Sequence, residues 1–292
     1  MAGTPAMHPG TLLRRQVEAR RGLLVPGAAN ALAARVIEEL GFEAVYLSGA
    51  GLSNTFYGLP DLGFVGLADI AQHTAALRDA VALPIIVDAD TGFGNALNVR
   101  HSVRTLERAG ANAIQLEDQV SPKKCGHFSG KAVVGVDEML GKVKAAVDAR
   151  LHPDFLVIAR TDAAAMEGID AAIARAVAYA EAGADITFVE APESLEALRR
   201  IPREIACPQV VNVVIGGKTP TLDAAAFGAM GFGLVLYANA ALQGAVRGMT
   251  QALQALQSAG RLDEAGGLVA TFAERQALVR KDAFDAMERR YA

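Results

Sequence analysis

The sequence has no tryptophan, only two cysteines and few aromatic residues, which make up 5% of the chain. Cys125 and Cys207 are too few for a disulfide framework, and this scarcity fits a reducing cytoplasm. No apolar run approaches the roughly 18 residues that a membrane-spanning helix needs, and residues 1–10 lack the apolar core of a signal peptide. We therefore predict a cytoplasmic protein without a membrane partner.

An excess of basic residues is also absent, because 28 lysines and arginines stand against 32 aspartates and glutamates, a net charge of −4. A chain of this charge repels phosphate backbones and anionic lipids, so we predict no nucleic-acid partner. What is abundant is apolar: 52% of the 292 residues are hydrophobic and 21% are charged. Such a composition excludes a disordered chain and predicts a globular protein of enzyme size.

One local pattern occurs four times: a helical stretch, a glycine and then a short apolar run. The glycines are Gly41, Gly110, Gly183 and Gly231. A helix commonly ends on a left-handed residue, which glycine adopts at little cost. Each copy therefore predicts the end of a helix followed by a buried strand.

A second kind of strand entry is a proline before a continuous apolar run, at Pro84, Pro153 and Pro208. Runs without alternation are typical of parallel strands that are buried on both faces. The two patterns, with a first strand at Leu23, predict eight strands at 23–26, 44–48, 85–88, 113–117, 155–160, 186–190, 209–212 and 233–237. Helical segments such as 29–40 and 169–182 separate them.

Strict alternation of strand and helix predicts an α/β fold, a (β/α)8 TIM barrel. An open doubly wound sheet is the alternative, but residues 26–29, Pro-Gly-Ala-Ala, are not a dinucleotide fingerprint. We expect residues 1–292 to form a single domain, in which 240–292 supply the last barrel helix and C-terminal helices. The sequence leaves open whether this helical extension packs on its own barrel or on a neighbouring subunit.

Polar residues stand where the predicted strands end. They are Ser48 and Gly49, Asp88 and Asp90, Glu117, Arg160, Glu190 and Asn212. In a barrel the chemistry belongs to this end of the strands. Converging carboxylates without a histidine or cysteine set favour Mg²⁺, with Mn²⁺ as the alternative. The competing interpretation is that these acids cap helices and pair with lysine or arginine.

Residues 121–131 place Cys125 beside Lys123, Lys124, His127 and Lys131. Positive neighbours favour the thiolate and make a thiol a usable proton donor or acceptor near neutral pH. The alternative is a solvated basic loop that contains an incidental cysteine. Cys207 stands among apolar residues, and we interpret it as core filling.

These motifs together resemble one known family. They are Tyr46-Leu-Ser-Gly-Ala, Gly58-Leu-Pro-Asp-Leu-Gly, Val87-Asp-Ala-Asp-Thr-Gly-Phe-Gly, Gln115-Leu-Glu-Asp-Gln, Lys123-Lys-Cys-Gly-His and Ala159-Arg-Thr-Asp. In this order, from about Leu23 to Ala240, the chain is similar to the isocitrate lyase and phosphoenolpyruvate mutase superfamily. The Lys-Lys-Cys-Gly-His loop and the Asp-Ala-Asp turn are the specific part of the resemblance.

The resemblance implies a barrel that forms homotetramers, as a dimer of dimers, by exchanging its last barrel helix. It also implies Mg²⁺ held by Asp88 with help, partly through water, from Asp61, Asp90 and Glu117. The implied substrate-binding residues are Ser48, Gly49, Ala50, Gly126, Arg160, Glu190 and Asn212. The implied catalytic residues are Cys125, Asp61, Arg160, His127 and Lys124, with the Cys125 loop closing over a small carboxylate substrate.

The implied reaction is Mg²⁺-dependent carbon–carbon cleavage of a 2-hydroxy dicarboxylate or tricarboxylate, similar to 2,3-dimethylmalate or methylisocitrate. It yields a 2-oxo acid, pyruvate or glyoxylate, and a carboxylate. Ala238 and Asn239 favour instead a mutase or hydrolase of phosphonopyruvate or carboxyphosphonate, with Asp61 as nucleophile or base. An oxaloacetate hydrolase or decarboxylase is a further alternative. Ile215, where the family usually has Glu, is the support for a barrel that binds without turnover.

Overall fold

The computed structural model describes residues 7–126 and 130–292. Within them eight parallel strands form a closed barrel in chain order. The strands are β1 (Leu23–Ala28), β2 (Val45–Leu47), β3 (Ile85–Asp88), β4 (Ala113–Glu117), β5 (Leu156–Thr161), β6 (Ile186–Val189), β7 (Gln209–Asn212) and β8 (Leu234–Tyr237). β1 pairs with both β2 and β8, for example Pro26 with Tyr237, and this pairing closes the barrel. The predicted (β/α)8 fold is confirmed.

Helices surround the barrel and extend beyond it. They are α1 (Pro9–Glu18), α2 (Ala31–Glu39), α3 (Gly49–Leu52), α4 (Leu67–Ala80), α5 (Ala96–Arg108), α6 (Val136–Ala149), α7 (Ala164–Glu167), α8 (Ile169–Glu181), α9 (Leu195–Glu204), α10 (Ala224–Met230), α11 (Ala240–Ala259), α12 (Phe272–Leu278) and α13 (Lys281–Tyr291). A π turn covers Ser53–Tyr57 and a 3-10 turn covers Glu264–Gly266. None of the helices in the described part of the chain is long and apolar enough to cross a membrane.

The predicted strands agree with the observed ones to within two residues at each end. The four glycines that were expected to end helices have φ between +81° and +107°, the left-handed region that other residues rarely adopt. Several short elements have no counterpart in the predictions, among them the N-terminal helix α1 and the turn of helix α3. Leu13 and Val17 of α1 are buried against the side chains inside the barrel, so α1 closes its bottom.

Side chains inside the barrel alternate with side chains that face the helices, as the two-residue period of a strand requires. On β3, Ile86 belongs to the interior cluster, whereas Ile85 and Val87 pack against the helices. The same alternation holds on β5, where Leu156 and Ile158 are interior. The interior position that follows Ile86 at the carboxyl end is Asp88, so the strand period itself aims its carboxylate into the mouth.

The C-terminal helices lie outside the barrel core. α11, α12 and α13 bury none of their described residues, and α12 contacts α2 of the same chain. On α11, Val246, Met249, Leu253 and Leu256 are each at least 40% exposed. The helical extension is present as predicted, and its exchange between subunits stays a prediction.

Candidate active site

The carboxyl ends of six strands bring polar side chains to one mouth of the barrel. Each lies two residues beyond a buried interior side chain, which gives them a common direction. These pairs are Tyr46 and Ser48, Ile86 and Asp88, Gln115 and Glu117, Ile158 and Arg160, Phe188 and Glu190, and Val210 and Asn212. All six polar residues are buried and line one pocket, so the strand ends converge as the sequence predicted.

Four acids gather at this mouth, and we call Asp61, Asp88, Asp90 and Glu117 the acid cluster. Lys123 places its ammonium group among them: Nζ lies 2.6 Å from Asp61 Oδ1 and 3.0 Å from Asp90 Oδ1. Only 6% of the Lys123 side chain is exposed. The acids therefore form a buried site that holds a cation. The competing interpretation is right about pairing, because Asp61 and Asp90 pair with Lys123, but none of the four acids caps a helix in the described part of the chain.

Asp88 is the best-anchored member of the acid cluster. Its Oδ2 accepts a hydrogen bond from the Gly49 amide at 3.2 Å, and its Oδ1 accepts from Gln115 Nε2 at 3.4 Å and the Asp90 amide at 3.3 Å. Tyr46 supports the contact between Gln115 and Asp88, because its hydroxyl donates to Gln115 Oε1 at 3.0 Å. Asp90 has φ +46°, a strained backbone for a non-glycine residue that is common at functional sites.

Burial and mutual repulsion set the charges of the acid cluster. Burial raises the pKa of the Asp90 carboxyl to about 7, with Asp88 adding to the rise and Lys123 opposing it. Burial also raises the pKa of Glu117 well above its ordinary value. Burial alone would lower the pKa of Lys123, but Asp90, Asp88 and the other acids raise it well above the ordinary value. Lys123 is thus a cation at neutral pH, and more positive charge would stabilise the ionised acids.

The acid cluster offers carboxylate oxygens to a divalent metal ion. In residues 7–126 and 130–292, no group of three or more His, Cys, Asp or Glu side chains converges to enclose an ion. The donors nevertheless suit a hard cation, because they are buried carboxylate oxygens. Within the described chain, Glu117 Oε1 is buried without a hydrogen-bond partner. With Lys123 already present as a cation, the residues fit a divalent ion held partly through water.

Arg160 forms a cationic wall beside Glu117 of the acid cluster. The Arg160 guanidinium donates two hydrogen bonds to Asp162, from Nε to Oδ2 at 2.8 Å and from Nη2 to Oδ1 at 3.1 Å. Glu117 Oε2 lies 3.4 Å from Nε, and Glu190 Oε2 lies 3.6 Å from Nη1. The guanidinium also stands 5.2 Å from the centre of the Phe188 ring. This fixed fork suits it to meet negative charge in a bound carboxylate.

Cys125 and Gly126 lie at the edge of the pocket and line it. The Cys125 amide donates to the Asp61 carbonyl at 3.2 Å, which ties this loop to the segment that carries one of the acids. A Cβ on Gly126 would lie 2.4 Å from Arg160 Nη2, so only glycine fits there. His127, the remaining catalytic candidate of the loop, lies outside the described residues.

The three lysines of the loop do not all surround the thiol, as their spacing in the sequence suggested. Lys123 enters the acid cluster, Lys124 Nζ donates to the Gly130 carbonyl at 2.9 Å, and Lys131 Nζ donates to Asp162 at 2.7 Å. Lys124, the catalytic candidate, does line the pocket. Carboxylates therefore neutralise two of the three ammonium groups, those of Lys123 and Lys131, whereas the described partner of Lys124 is an uncharged carbonyl of the loop.

The predicted carboxylate-binding turn follows β2. Ser48 and Ala50 line the pocket, and the Ser48 hydroxyl donates to Asn239 Oδ1 at 3.4 Å. The Gly49 amide is directed to Asp88 and takes part in holding that acid. Two of these three residues are therefore placed to touch a ligand, and the third positions a carboxylate.

The far wall of the pocket comes from β6, β7 and β8. Asn212 Nδ2 donates to Glu190 Oε1 at 3.5 Å, so both predicted lining residues meet. Beside them Val214, Leu236 and Ala238 add an apolar surface to the same pocket. The site thus combines carboxylates, a guanidinium and an aliphatic wall.

Sequence reasoning assigned no place in the site to Tyr46, Gln115 or Asp162, and it placed Lys123 beside the Cys125 thiol and not among the acids. Tyr46 and Gln115 were detectable, because each stands two residues before a predicted site residue on its strand. Nothing in the sequence distinguishes Lys123 from its neighbour. Ile215, the departure from the family pattern, is 54% exposed and is not among the described lining residues.

A larger cavity lies at the opposite end of the barrel. Its volume is about 330 Å³, against about 60 Å³ at the mouth. Its polar groups are used internally: Arg78 donates to the Leu83 carbonyl at 2.8 Å, and Glu107 accepts from the His152 amide at 2.7 Å. Because chemistry in barrels belongs to the carboxyl ends of the strands, the smaller mouth pocket is the candidate site.

Comparison with known proteins agrees with this geometry. Residues 13–257 match the phosphoenolpyruvate phosphomutase family. The chain is 42% identical over 286 residues to 2,3-dimethylmalate lyase of Eubacterium barkeri, covering 98% of this chain and 99% of that protein. It is 43% identical over 256 residues to 2-methylisocitrate lyase of Aeropyrum pernix, covering 88% and 82% respectively.

Among solved structures, the chain is similar to a phosphonopyruvate hydrolase in complex with oxalate and Mg²⁺. The TM-score is 0.87 and the sequence identity 31%, with 98% of this chain and 99% of that chain covered. The family match spans most of the barrel, and the relatives cover nearly the whole chain. The chain therefore belongs to the phosphoenolpyruvate phosphomutase family and is an enzyme of the isocitrate lyase and PEP mutase superfamily.

Proposed function

We propose that the enzyme is a Mg²⁺-dependent carbon–carbon lyase that cleaves a branched 2-hydroxy dicarboxylate, similar to 2,3-dimethylmalate, into a 2-oxo acid and a carboxylate. The observation that carries this proposal is one pocket lined by Cys125, Arg160 and three members of the acid cluster, Asp61, Asp88 and Glu117. The similarity to the lyase of Eubacterium barkeri over 98% of the chain supports it.

The residues divide the reaction between them. A carboxylate of the acid cluster accepts the proton of the substrate hydroxyl, and the carbon–carbon bond then breaks as the 2-oxo acid forms. The bonding electrons stay on the other fragment as the enolate of a carboxylate. Arg160, held in place by Asp162, stabilises its negative charge. Cys125 gives its proton to the carbanion, and the resulting thiolate accepts the hydroxyl proton back through solvent before the next turnover.

The carboxylates of Asp61, Asp88, Asp90 and Glu117 are the residues that would hold Mg²⁺. Bound there, the ion would act as a Lewis acid toward the 2-hydroxy acid and the 2-oxo acid product. The strain and burial at Asp90 serve this purpose, because a preorganised carboxylate loses little freedom when it takes a ligand.

A dicarboxylate fits the charges of the pocket better than a tricarboxylate does. Among the described lining residues the cations are Lys123, Lys124 and Arg160. Lys123 is paired with Asp61, and Arg160 is shared with acids. The wall of Val214, Leu236 and Ala238 accepts alkyl substituents, whereas a third carboxylate against it would be left without a partner.

Exchange of Cys125 for serine tests the proposal. In the Cys125→Ser variant we expect turnover of the branched malate to fall by about 10² to 10⁴, the usual loss when a general acid is removed. A coupled assay for pyruvate or glyoxylate measures it. Cys207→Ser is the matched control, because Cys207 lies at the opposite end of β7 from Asn212. Unchanged lyase activity in Cys125→Ser would rule out the thiol as the acid.

Phosphonate chemistry is the second candidate. Ala238 and Asn239 line the pocket, and a relative of known structure is a phosphonopyruvate hydrolase. In this case Asp61 is the nucleophile or base, but its carboxylate is bound to Lys123 at 2.6 Å, which weakens it for that role. Phosphorus NMR of phosphonopyruvate mixed with the enzyme decides the matter, because a spectrum that does not change eliminates this activity.

The proposal includes a homotetramer in which α11 packs on a second copy. The exposed apolar stripe of α11 has a counterpart on α2 and at its C-terminal end, where Leu32, Val36 and Leu40 are at least 41% exposed. An open groove of about 860 Å³ separates α11 from Asn30 and Asn54 at the barrel rim. Exposed apolar surface of this kind is typical of a site that another subunit covers.

A further inference from the structure

Lys131 lies just beyond the active-site loop and has no part in the proposed chemistry. Only 3% of its side chain is exposed, and Asp162, its partner at 2.7 Å, is fully buried. The same ammonium group also donates to the Gly126 carbonyl. Lys131 therefore joins the Gly126 carbonyl of the loop to the carboxylate of Asp162, the residue that directly follows β5.

That carboxylate is the one that orients Arg160. Asp162 Oδ1 accepts from both Lys131 Nζ and Arg160 Nη2, while Oδ2 accepts from Arg160 Nε. The Asp162 amide is fixed in turn by the Asp118 carboxylate at 2.9 Å. Burial would raise the pKa of Asp162, but Arg160 and Lys131 lower it below the ordinary value. Asp162 is thus an ionised carboxylate that bridges two cations, Arg160 and Lys131.

The other contact of Lys131 controls the position of Gly126. A Cβ at Gly126 would lie 2.4 Å from Arg160 Nη2 and 2.7 Å from Glu190 Cγ. The Gly126 backbone therefore packs directly against these two side chains. Cys125 is the preceding residue, and a shift of the Gly126 carbonyl moves the thiol with it. Because Lys131 holds Gly126 and Asp162 together, it fixes the distance between the two sides of the pocket.

We propose that Lys131 is a positioning residue that sets Cys125 and Arg160 at the separation that the substrate fragment requires. The inference rests on the proposed lyase function, and it deepens it. Loss of the Lys131 ammonium group breaks the link between Gly126 and Asp162. It also leaves the buried Asp162 with one cation, Arg160, in place of two. A misplacement of about 1 Å at a reacting group can lower turnover by about 100-fold.

Lys131→Met and Lys131→Arg test the proposal, with Lys144→Met on the exposed face of α6 as the control. We expect kcat of Lys131→Met to fall by about 10- to 100-fold with little change in KM. The arginine variant recovers much of this, because guanidinium also donates to a carboxylate and a carbonyl together. Lys144→Met keeps the activity of the unmodified chain.

A second readout does not depend on turnover. Mass spectrometry of the chain treated with iodoacetamide gives separate alkylation rates for Cys125 and Cys207. We expect Lys131→Met to speed the reaction of Cys125 several-fold while Cys207, which is partly buried before β7, reacts at an unchanged rate. General unfolding would instead speed both, so the comparison isolates a change in the loop.

Should Lys131→Met fail to fold, the same measurements on Lys131→Gln replace it, because the amide retains one of the two hydrogen bonds. Equal kcat and equal Cys125 alkylation in the folded variant and in Lys144→Met would overturn the proposal. If the unmodified chain shows no lyase activity, the proposed function fails. The alkylation rates still decide whether Lys131 holds the loop.

Discussion

At the scale of the single residue, two adjacent lysines lie in opposite environments. Lys123 is 6% exposed and buried among carboxylates, whereas Lys124 bonds to the Gly130 carbonyl near the surface. Their side chains differ only in direction, because they project from different sides of the same irregular segment. The buried one compensates charges that would otherwise repel each other, so the stability of the mouth depends on it.

Substitution of Lys123 by methionine removes this compensation. We expect the metal-free Lys123→Met protein to lose about 3–5 kcal/mol of unfolding free energy, the usual cost of leaving a buried charge unpaired. In the matched Lys124→Met variant the loss is below about 1 kcal/mol, as for exposed contacts. Urea denaturation measures both. Equal stability of the two variants would show that the acids do not need the ammonium.

Added Mg²⁺ extends this experiment. Ligands that bind only the folded state raise the melting temperature, and the vacated acid cluster of Lys123→Met has no ammonium competing for the ion. We therefore expect Mg²⁺ to raise the Tm of Lys123→Met more than that of Lys124→Met. A Tm of Lys123→Met that Mg²⁺ leaves unchanged would speak against a metal at these carboxylates.

At the scale of the element, glycines that end helices fix where the strands begin. Gly41 and Gly110 both have left-handed backbones, with φ +81° and +105°. Around Gly41 a Cβ would meet nothing within 4 Å, whereas at Gly110 it would lie 2.5 Å from Arg78 Cγ. Arg78 cannot move away cheaply, because its guanidinium donates to the Leu83 carbonyl and Asn112.

The pair Gly110→Ala and Gly41→Ala therefore separates backbone strain from packing. For Gly41→Ala we expect a loss of about 1–2 kcal/mol in unfolding free energy, the cost of a left-handed alanine. For Gly110→Ala we expect about 1–3 kcal/mol more, because the new methyl overpacks against Arg78. Chemical denaturation checks the difference, and equal losses would mean that Arg78 yields without cost.

Element boundaries were the most predictable part of the structure. Runs of valine, isoleucine and leucine after glycine or proline marked the strands, because fully buried parallel strands must be apolar throughout. α3 was missed because residues 49–52, Gly-Ala-Gly-Leu, carry no helical pattern of their own. That turn forms since Ser48 Oγ accepts from the Gly51 amide, a contact made after β2 has been placed.

At the scale of the whole molecule, one chain leaves an apolar stripe uncovered on α11. Leu253 is 63% exposed at its centre. We expect Leu253→Lys to weaken the proposed tetramer, because a leucine buried at an interface contributes about 1.5–3 kcal/mol. Analytical ultracentrifugation measures the mass. Gln254→Lys adds the same charge on a neighbouring face, and dissociation in both variants would argue against a specific interface.

The sequence by itself determined the barrel, the order of its strands and the rim where the polar residues gather. These follow from local periodicity, because a strand that alternates by two aims every second side chain inward. Only the tertiary structure decided that Lys123 belongs to the acid cluster and that Lys131 joins Gly126 to Asp162. Lys123 and Asp61 are 62 residues apart, and the partner of a long flexible side chain depends on which segments converge in space.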